Sequence, residues 1–320
     1  MSRAADWVPA HLGPAYVRLN EPLARHTFYR IGGPAELFFR AQSAEELATA
    51  VRLAQQSGVP CFVLGTGTNV LVSDRGVRGL VVQNRARAVT WTEMGDQMWV
   101  TAESGASLSR LARQAARQGW AGLTWACGIP GTVGGGVVQN AGAHGACLAD
   151  VLQSVTVLDE GAAAQRIPAG NLELAYRSSI FKGKRGRAWV ILAAEMMLRR
   201  GDPEELAARI AGHDAWRREH QPVGASCGSV FKNPPGDYAG RLIEAAGLKG
   251  QRVGGAEISP LHANFFVNTG GATARDVVAL IDRARDEVKR QFGVSLELEV
   301  ELVGEWEREL EGRARARGLS

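Results

Sequence analysis

Cysteine is scarce and scattered. The 320-residue chain has 4 cysteines, Cys61, Cys127, Cys147 and Cys227, and no CxxC pair. That spacing speaks against a metal site or a disulfide framework and fits free thiols in a reducing compartment. Long apolar runs are missing too. No stretch reaches the roughly 18 apolar residues of a spanning helix, and "MSRAADWVPAHLGPAYVRLN" has no apolar signal-peptide core, so a cytoplasmic protein with no membrane association is expected. Charge of one sign is not in excess: 37 basic and 33 acidic residues leave a formal net charge of +4. A mildly basic chain fits an anionic small ligand better than nucleic acid, whose grooves need clustered basic residues. The densest basic run, "RARAR" at 313–317, reads as a solvated tail. There is no internal repeat and no low-complexity segment.

The standard nucleotide fingerprints are absent as well. "LGTGTNVL" (64–71) follows a strand but lacks the third glycine of the Rossmann turn and runs into another strand where a helix should begin. No Gly-Lys-Ser/Thr marks a P-loop. Its successive amides suit an anion-binding nest, or a plain tight turn. What the chain does have is glycine, with seven in the eighteen residues of "GIPGTVGGGVVQNAGAHG" (128–145). Glycine loses more backbone entropy on folding than any other residue, so its concentration implies close approach to bare backbone. Two amide-rich loops without either fingerprint point to a large dinucleotide, its pyrophosphate and flat rings held between subdomains. Glycines chosen for strand packing are the bland alternative.

At 45% hydrophobic and 22% charged residues, the composition is that of a globular protein long enough for two or three cores. A strand at 35–41, a helix capped by Ser43 and Glu46 and stopped by Gly58, and a strand at 61–65 give a β-α-β start. A second region, from about 88 to 200, holds the strand "MWVTAE", a helix at 107–118 ended by Gly119, the glycine stretch read as loop, and the strands "SVTVLD" and "AWVILAAEM". Asp202, Pro203 and Glu205 open a connector helix. A third region carries a short helix at 237–246, the strand "NFFVN" and a long helix from Thr273 to Phe292 with Val277, Ile281, Ala284 and Val288 in one stripe. "SLELEVELVG" then alternates Leu296, Leu298, Val300 and Leu302 with Glu297, Glu299 and Glu301, the period of a strand.

Several motifs occur in a familiar order: "TFYRIGGPAELF" (27–38), "VLGTGTNVLVSDRGVRGLVV" (63–82), the glycine stretch, "AYRSSIF" (175–181), "CGSVFKNP" (227–234), "GGAEISPLHANFFVN" (254–268) and "LELEVELVG" (296–304). Over about residues 25 to 305 the chain resembles the MurB family of UDP-N-acetylenolpyruvoylglucosamine reductases, in its shorter subtype without the extra substrate loop. "GSVFKNP" with "HANFFVN" is the discriminating pair. It departs from the family pattern at His220, where a lysine or arginine is common, and at Gly136, where alanine is.

The resemblance implies an α+β fold: a two-subdomain FAD-binding fold of the vanillyl-alcohol-oxidase (PCMH) type plus a C-terminal α+β substrate-binding domain. The expected organisation is an N-terminal extension (1–24), FAD-binding subdomains at 25–87 and 88–201, a connector helix (202–219), a substrate domain (220–305) and a tail (306–320). Also implied are non-covalent FAD, NADPH as reductant, a UDP-sugar substrate, a monomer, and reduction of an enolpyruvyl ether in peptidoglycan precursor synthesis. Gly65, Thr66, Gly67, Thr68, Asn69, Gly128, Pro130, Gly131, Thr132, Gly134, Gly135 and Asn140 are the expected cofactor contacts. Tyr176, Lys232, Asn233, His262 and Asn264 are the expected substrate contacts.

Reducing the enolpyruvyl double bond needs a hydride on one carbon and a proton on the other. By resemblance Ser229 is the proton donor, and a nearby cation such as Lys232 would favour its alkoxide. The planar fork of Arg177 suits the substrate carboxylate, whose charge grows along the reaction. Family position selects Glu299 from its row of glutamates, to act protonated beside the developing enolate, for which burial must raise its pKa. The rivals are an FAD-dependent oxidase of the same fold, possible through its shared glycine loops but with no use for "GSVFKNP", and a non-catalytic nucleotide-binding protein, which has no need of Arg177, Ser229 and Glu299 together. Covalent flavin attachment at His144 and thiol chemistry at Cys227 are not expected.

Overall fold

Two strands, Pro34–Ala41 and Val77–Asn84, run through both structural units of this chain. The computed structural model describes residues 11–13, 16–161, 163–183 and 188–306, so the basic run at 313–317 lies outside the described residues. One unit takes Phe39–Thr66 and Val82–Gln221; the other takes Arg18–Phe38, Gly67–Val81 and the described residues from Pro222 on.

The first unit is built on an antiparallel sheet in the order Ala164–Pro168, Leu152–Leu158, Val190–Arg200, Gln97–Glu103, Val89–Met94. The central strand Val190–Arg200 buries Ala194, Met196 and Leu198, the alternation expected where one face meets a core. Helix α1 (Ala44–Gln56) starts at Ser43, whose side chain accepts from the Glu46 amide, and Gly58 follows its end at φ +65°. Helix α2 (Leu108–Arg117) starts at Ser107 and buries Leu108, Leu111, Ala112 and Ala115. The glycine stretch, read from sequence as loop, contains a short helix, α3 (Val133–Gln139), capped by Thr132. Helix α4 (Pro203–His220) starts at Asp202, whose carboxylate accepts from Glu204; it buries only Leu206 and Ile210. The reciprocal bond expected from Glu205 is not among the bonds at that cap.

The second unit packs helix α5 (Ala239–Ala245) and helix α6 (Ala274–Phe292) with a three-stranded sheet, Arg252–Val253, Ala256–Ile258 and Phe266–Asn268. In α6 the stripe Val277, Ile281, Ala284 and Val288 is buried, as its spacing predicts. Thr273 and Asp276 close a reciprocal capping box, and Asp74 accepts from the amides of Ala274 and Arg275 at 2.8 and 3.1 Å. The alternating C-terminal stretch forms a shorter strand than expected. The strand itself is Glu301–Val303, paired in parallel with Val70–Val72, and upstream Leu298 makes a single antiparallel bridge to Phe231. Upstream the ladder is interrupted because the Val230 carbonyl accepts from both Glu299 and Val300. Leu296, Leu298 and Val300 are nonetheless buried, so the period of two survives as burial.

Candidate active site

Bare backbone dominates the "GTGTN" loop. Among the described residues, the amides of Thr66, Gly67, Thr68 and Asn69 donate no hydrogen bond, and the Thr66 hydroxyl is buried without a partner. A Cβ on Gly65 would lie 2.9 Å from Thr132 Oγ1, so in the first unit this loop abuts the glycine stretch. A Cβ on Gly67, at φ +67°, would lie 2.6 Å from the His26 carbonyl oxygen. Four successive amides with no protein acceptor, beside a buried hydroxyl that has none either, make a donor-rich cradle that fits a pyrophosphate.

The glycine stretch uses its amides differently. Val133 donates to Ala106, Gly134 to Ser104, Gly135 to the Thr132 side chain and Gly136 to the Thr132 carbonyl. A Cβ on Gly134 would meet Ser104 Cβ at 2.9 Å, so that glycine is required for packing. Gly131 sits at φ +148°, Pro130 and Gly135 are exposed, and Gly128 rests against the Arg217 stem, 2.4 Å from where its Cβ would be. Arg217, unremarkable in the sequence of a polar helix, is therefore a neighbour of this stretch. Burial pulls its pKa below the usual value, while Cys127 and Asp214 oppose that shift.

Asn140 ends α3 in the left-handed conformation, φ +42°. Its amide donates to the Ala175 carbonyl at 3.1 Å and accepts from Ala149 at 3.0 Å. This ties α3 to the turn that carries Tyr176 and Arg177. In that turn Ala175 and Ser178 exchange backbone bonds, Arg177 takes φ +52°, and Lys182 donates to the Arg177 carbonyl. A positive φ on a non-glycine residue is held only by its surroundings and clusters at functional sites. Tyr176 is exposed, with the Arg177 guanidinium 5.7 Å from its ring centroid. His144, near the end of the glycine stretch, stacks on His213 of α4 at 3.9 Å.

In the second unit Ser229 and Glu299 lie on adjoining extended segments. Ser229 bridges to Phe265, Phe231 bridges to Leu298, and the Glu299 amide donates to Val230 at 2.8 Å. Asn69 donates from its side chain to the Glu299 carbonyl at 3.0 Å. The Lys232 ammonium ion-pairs with Glu297, not with the serine the sequence placed near it. The Asn233 side chain accepts from Ala239 at the start of α5. His262 is half-buried, accepts from the Asn264 amide through Nδ1, and tilts against Phe265. Asn264, expected to touch substrate, is 3% exposed, and its side chain closes on both backbone polar groups of Phe231. Cys227 is buried beside Tyr29 and Glu299; burial pushes its thiol up to about 12, which leaves almost no thiolate.

A donor-rich loop in one chain with a unit that sets Ser229 and Glu299 on adjoining segments is compatible with an FAD-containing oxidoreductase, and the comparisons with known proteins show that class. Residues 35–167 match the family described as FAD binding domain, and residues 220–303 match UDP-N-acetylenolpyruvoylglucosamine reductase, C-terminal domain. The chain belongs to the UDP-N-acetylenolpyruvoylglucosamine reductase family. It is 48% identical over 300 residues to the reductase of Rubrobacter xylanophilus, covering 94% of this chain and 99% of that one. It is 46% identical over 294 residues to that of Chloroflexus aggregans, covering 91% and 98%. The solved structure of the reductase (MurB) from Thermus caldophilus matches with a TM-score of 0.74 and 37% identity, over 89% of this chain and 97% of that one. The FAD-binding and C-terminal parts expected from the motifs are the parts these comparisons find.

Proposed function

We propose that the protein reduces UDP-N-acetyl-enolpyruvoylglucosamine to UDP-N-acetylmuramate, a step of peptidoglycan precursor synthesis, with NADPH as reductant. The observation that carries this reading is that Ser229 and Glu299 lie on adjoining segments, through Val230, in a chain that also holds the amide-rich loop. FAD, when bound, supplies hydride transfer from NADPH to the enolpyruvyl carbon. Gly65, Thr66, Gly67, Thr68 and Asn69 would hold its pyrophosphate, and Gly128, Pro130, Gly131, Thr132, Gly134, Gly135 and Asn140 would shape the adjoining wall. In this reading residues 25–87 and 88–201 are the two FAD-binding subdomains, 202–219 connects them to the third region, and 220–305 takes the substrate.

Arg177 binds the enolpyruvyl carboxylate through its planar fork, and the attraction strengthens as negative charge builds there. Ser229 gives its hydroxyl proton to the carbon that does not receive hydride. Glu299, in its protonated form, hydrogen-bonds the enolate oxygen as it develops. Tyr176, Lys232, Asn233 and His262 contact the UDP-sugar. In this reading the enzyme acts as a cytoplasmic monomer. The test mixes yellow holoenzyme with NADPH and the enolpyruvyl UDP-sugar and follows NADPH absorbance. Substrate-dependent NADPH loss supports the reading; NADPH loss that ignores the sugar overturns it.

A further inference from the structure

We infer that Asn264 is a positioning residue that sets the Ser229 hydroxyl for proton delivery, and that it acts through the backbone of Val230 and Phe231. The inference rests on Ser229 being the proton donor. Three hydrogen bonds converge from this one residue: the Val230 amide donates to the Asn264 carbonyl at 2.8 Å, the Phe231 amide to Asn264 Oδ1 at 2.9 Å, and Asn264 Nδ2 to the Phe231 carbonyl at 2.8 Å. The side chain thus copies a neighbouring strand, offering one acceptor and one donor to one residue. It does so where the segment cannot use a regular ladder, since Val230 is already bent to receive both Glu299 and Val300.

Asn264 is itself fixed. Its own amide donates to His262 Nδ1 at 3.2 Å, and Ser229 bridges to Phe265, the next residue. With Oδ1 and Nδ2 both engaged at 3% exposure, the side chain has nothing to offer a substrate. From the other side, Arg285 of α6 donates to the Leu296 carbonyl at 3.2 Å, and its guanidinium lies 5.9 Å from the Phe231 ring centroid. The segment bearing Ser229 is therefore clamped at Phe231, while Gly228 before it takes φ +79°. A serine clamped on its C-terminal side and preceded by glycine, whose backbone has the widest choice of conformations, depends on the clamped side for its aim.

The chemistry of an amide allows a sharp test. Asn264→Asp keeps the shape but, when ionised, sets a carboxylate against the Phe231 carbonyl; when protonated, it restores a donor and an acceptor. Reoxidation of the reduced holoenzyme by the enolpyruvyl sugar is measured by stopped flow from pH 8 to 5.5, alongside reduction by NADPH. At pH 8 Asn264→Asp slows reoxidation by about 10²-fold, the order expected for a misplacement near 1 Å, and the rate recovers as pH falls; reduction stays within about twofold of wild type. In a Ser229→Ala background Asn264→Asp produces no further loss. Equal slowing of both half-reactions, no recovery at low pH, or a full additional loss in the Ser229→Ala background overturns the inference. If Ser229→Ala alone leaves reoxidation intact, the proton-donor reading itself has failed. FAD content and thermal melting at pH 6 check folding, and Asn264→Ser is the second variant. If neither variant yields folded holoenzyme, Asn264 is a folding determinant and the inference is wrong.

Discussion

At the scale of single residues, the proposed function assigns Ser229 and Gly65 to different halves of the reaction. Ser229→Ala removes the proposed proton donor and leaves the proposed cofactor cradle unaltered. Reoxidation by the enolpyruvyl sugar is expected to fall by about 10² to 10⁴, while reduction by NADPH stays within about tenfold. Stopped-flow traces of both halves check this, and equal effects on the two would remove Ser229 from its role. Gly65→Val acts on the cradle. Its Cβ would press on Thr132 Oγ1 at 2.9 Å and Cγ2 at 3.2 Å, forcing the two loops apart. The variant is expected to fold yet purify without yellow colour. Gly134→Val instead meets Ser104 at a packed strand end and is expected to fail earlier, in folding. Flavin absorbance and circular dichroism together separate the two outcomes. Retention of normal FAD by folded Gly65→Val would place the cofactor elsewhere.

Among the elements, α6 shows how a helix end is secured from near and far. Thr273 and Asp276 satisfy each other's backbone groups locally, while Asp74, two hundred positions away, takes the amides of Ala274 and Arg275. A carboxylate there also meets the positive end of the helix dipole. Thr273→Ala and Asp74→Ala are each expected to lower unfolding free energy by about 1 kcal/mol. The double variant should fall short of the sum, since both act on one helix end. Urea titration measures this, and a change below about 0.3 kcal/mol for Asp74→Ala would show solvent replacing it without loss. The helix start at Thr273 was read from the sequence, but the box it closes with Asp276 was not, although its partners are only three residues apart. Nor was the Asp74 cap, because nothing in "SDRGVRG" names its target.

For the molecule as a whole, stability depends on pH through groups that folding makes harder to protonate. His144 lies below its ordinary 6.5, chiefly because burial, and then His213 and Arg217, oppose a second positive charge. A depressed histidine contributes stability that is complete above 6.5 and fades as pH falls through the folded value. Glu21 and Glu195 lie below their ordinary 4.5, Glu21 mainly through its hydrogen bond from His26 and Glu195 mainly through Arg166. Their contribution is present above 4.5 and disappears as they protonate in the fold. Melting temperature is therefore expected to decline in two limbs, one starting near pH 6.5 and one below 4.5. His144→Asn should flatten the first limb and spare the second. A wild-type melting temperature that is flat from pH 7 to 5 would contradict the first limb.

By itself the sequence determined where most elements begin and end, because caps and periodicity act within a few residues. Ser43, Ser107, Asp202 and Thr273 each start the helix their spacing marks, and the stripe of α6 is buried as read. The ordered motifs also carried the family, since they are contiguous strings. Tertiary structure decided what those strings do with their polar atoms. It turned part of the glycine stretch into α3 by offering the carbonyls of Ser104 and Ala106 to its first amides. It gave the Lys232 ammonium to Glu297, and it closed Asn264 on Phe231, 33 positions away in the chain. A buried amide or ammonium must find a partner, and the best partner is chosen by proximity in space, which no local pattern encodes.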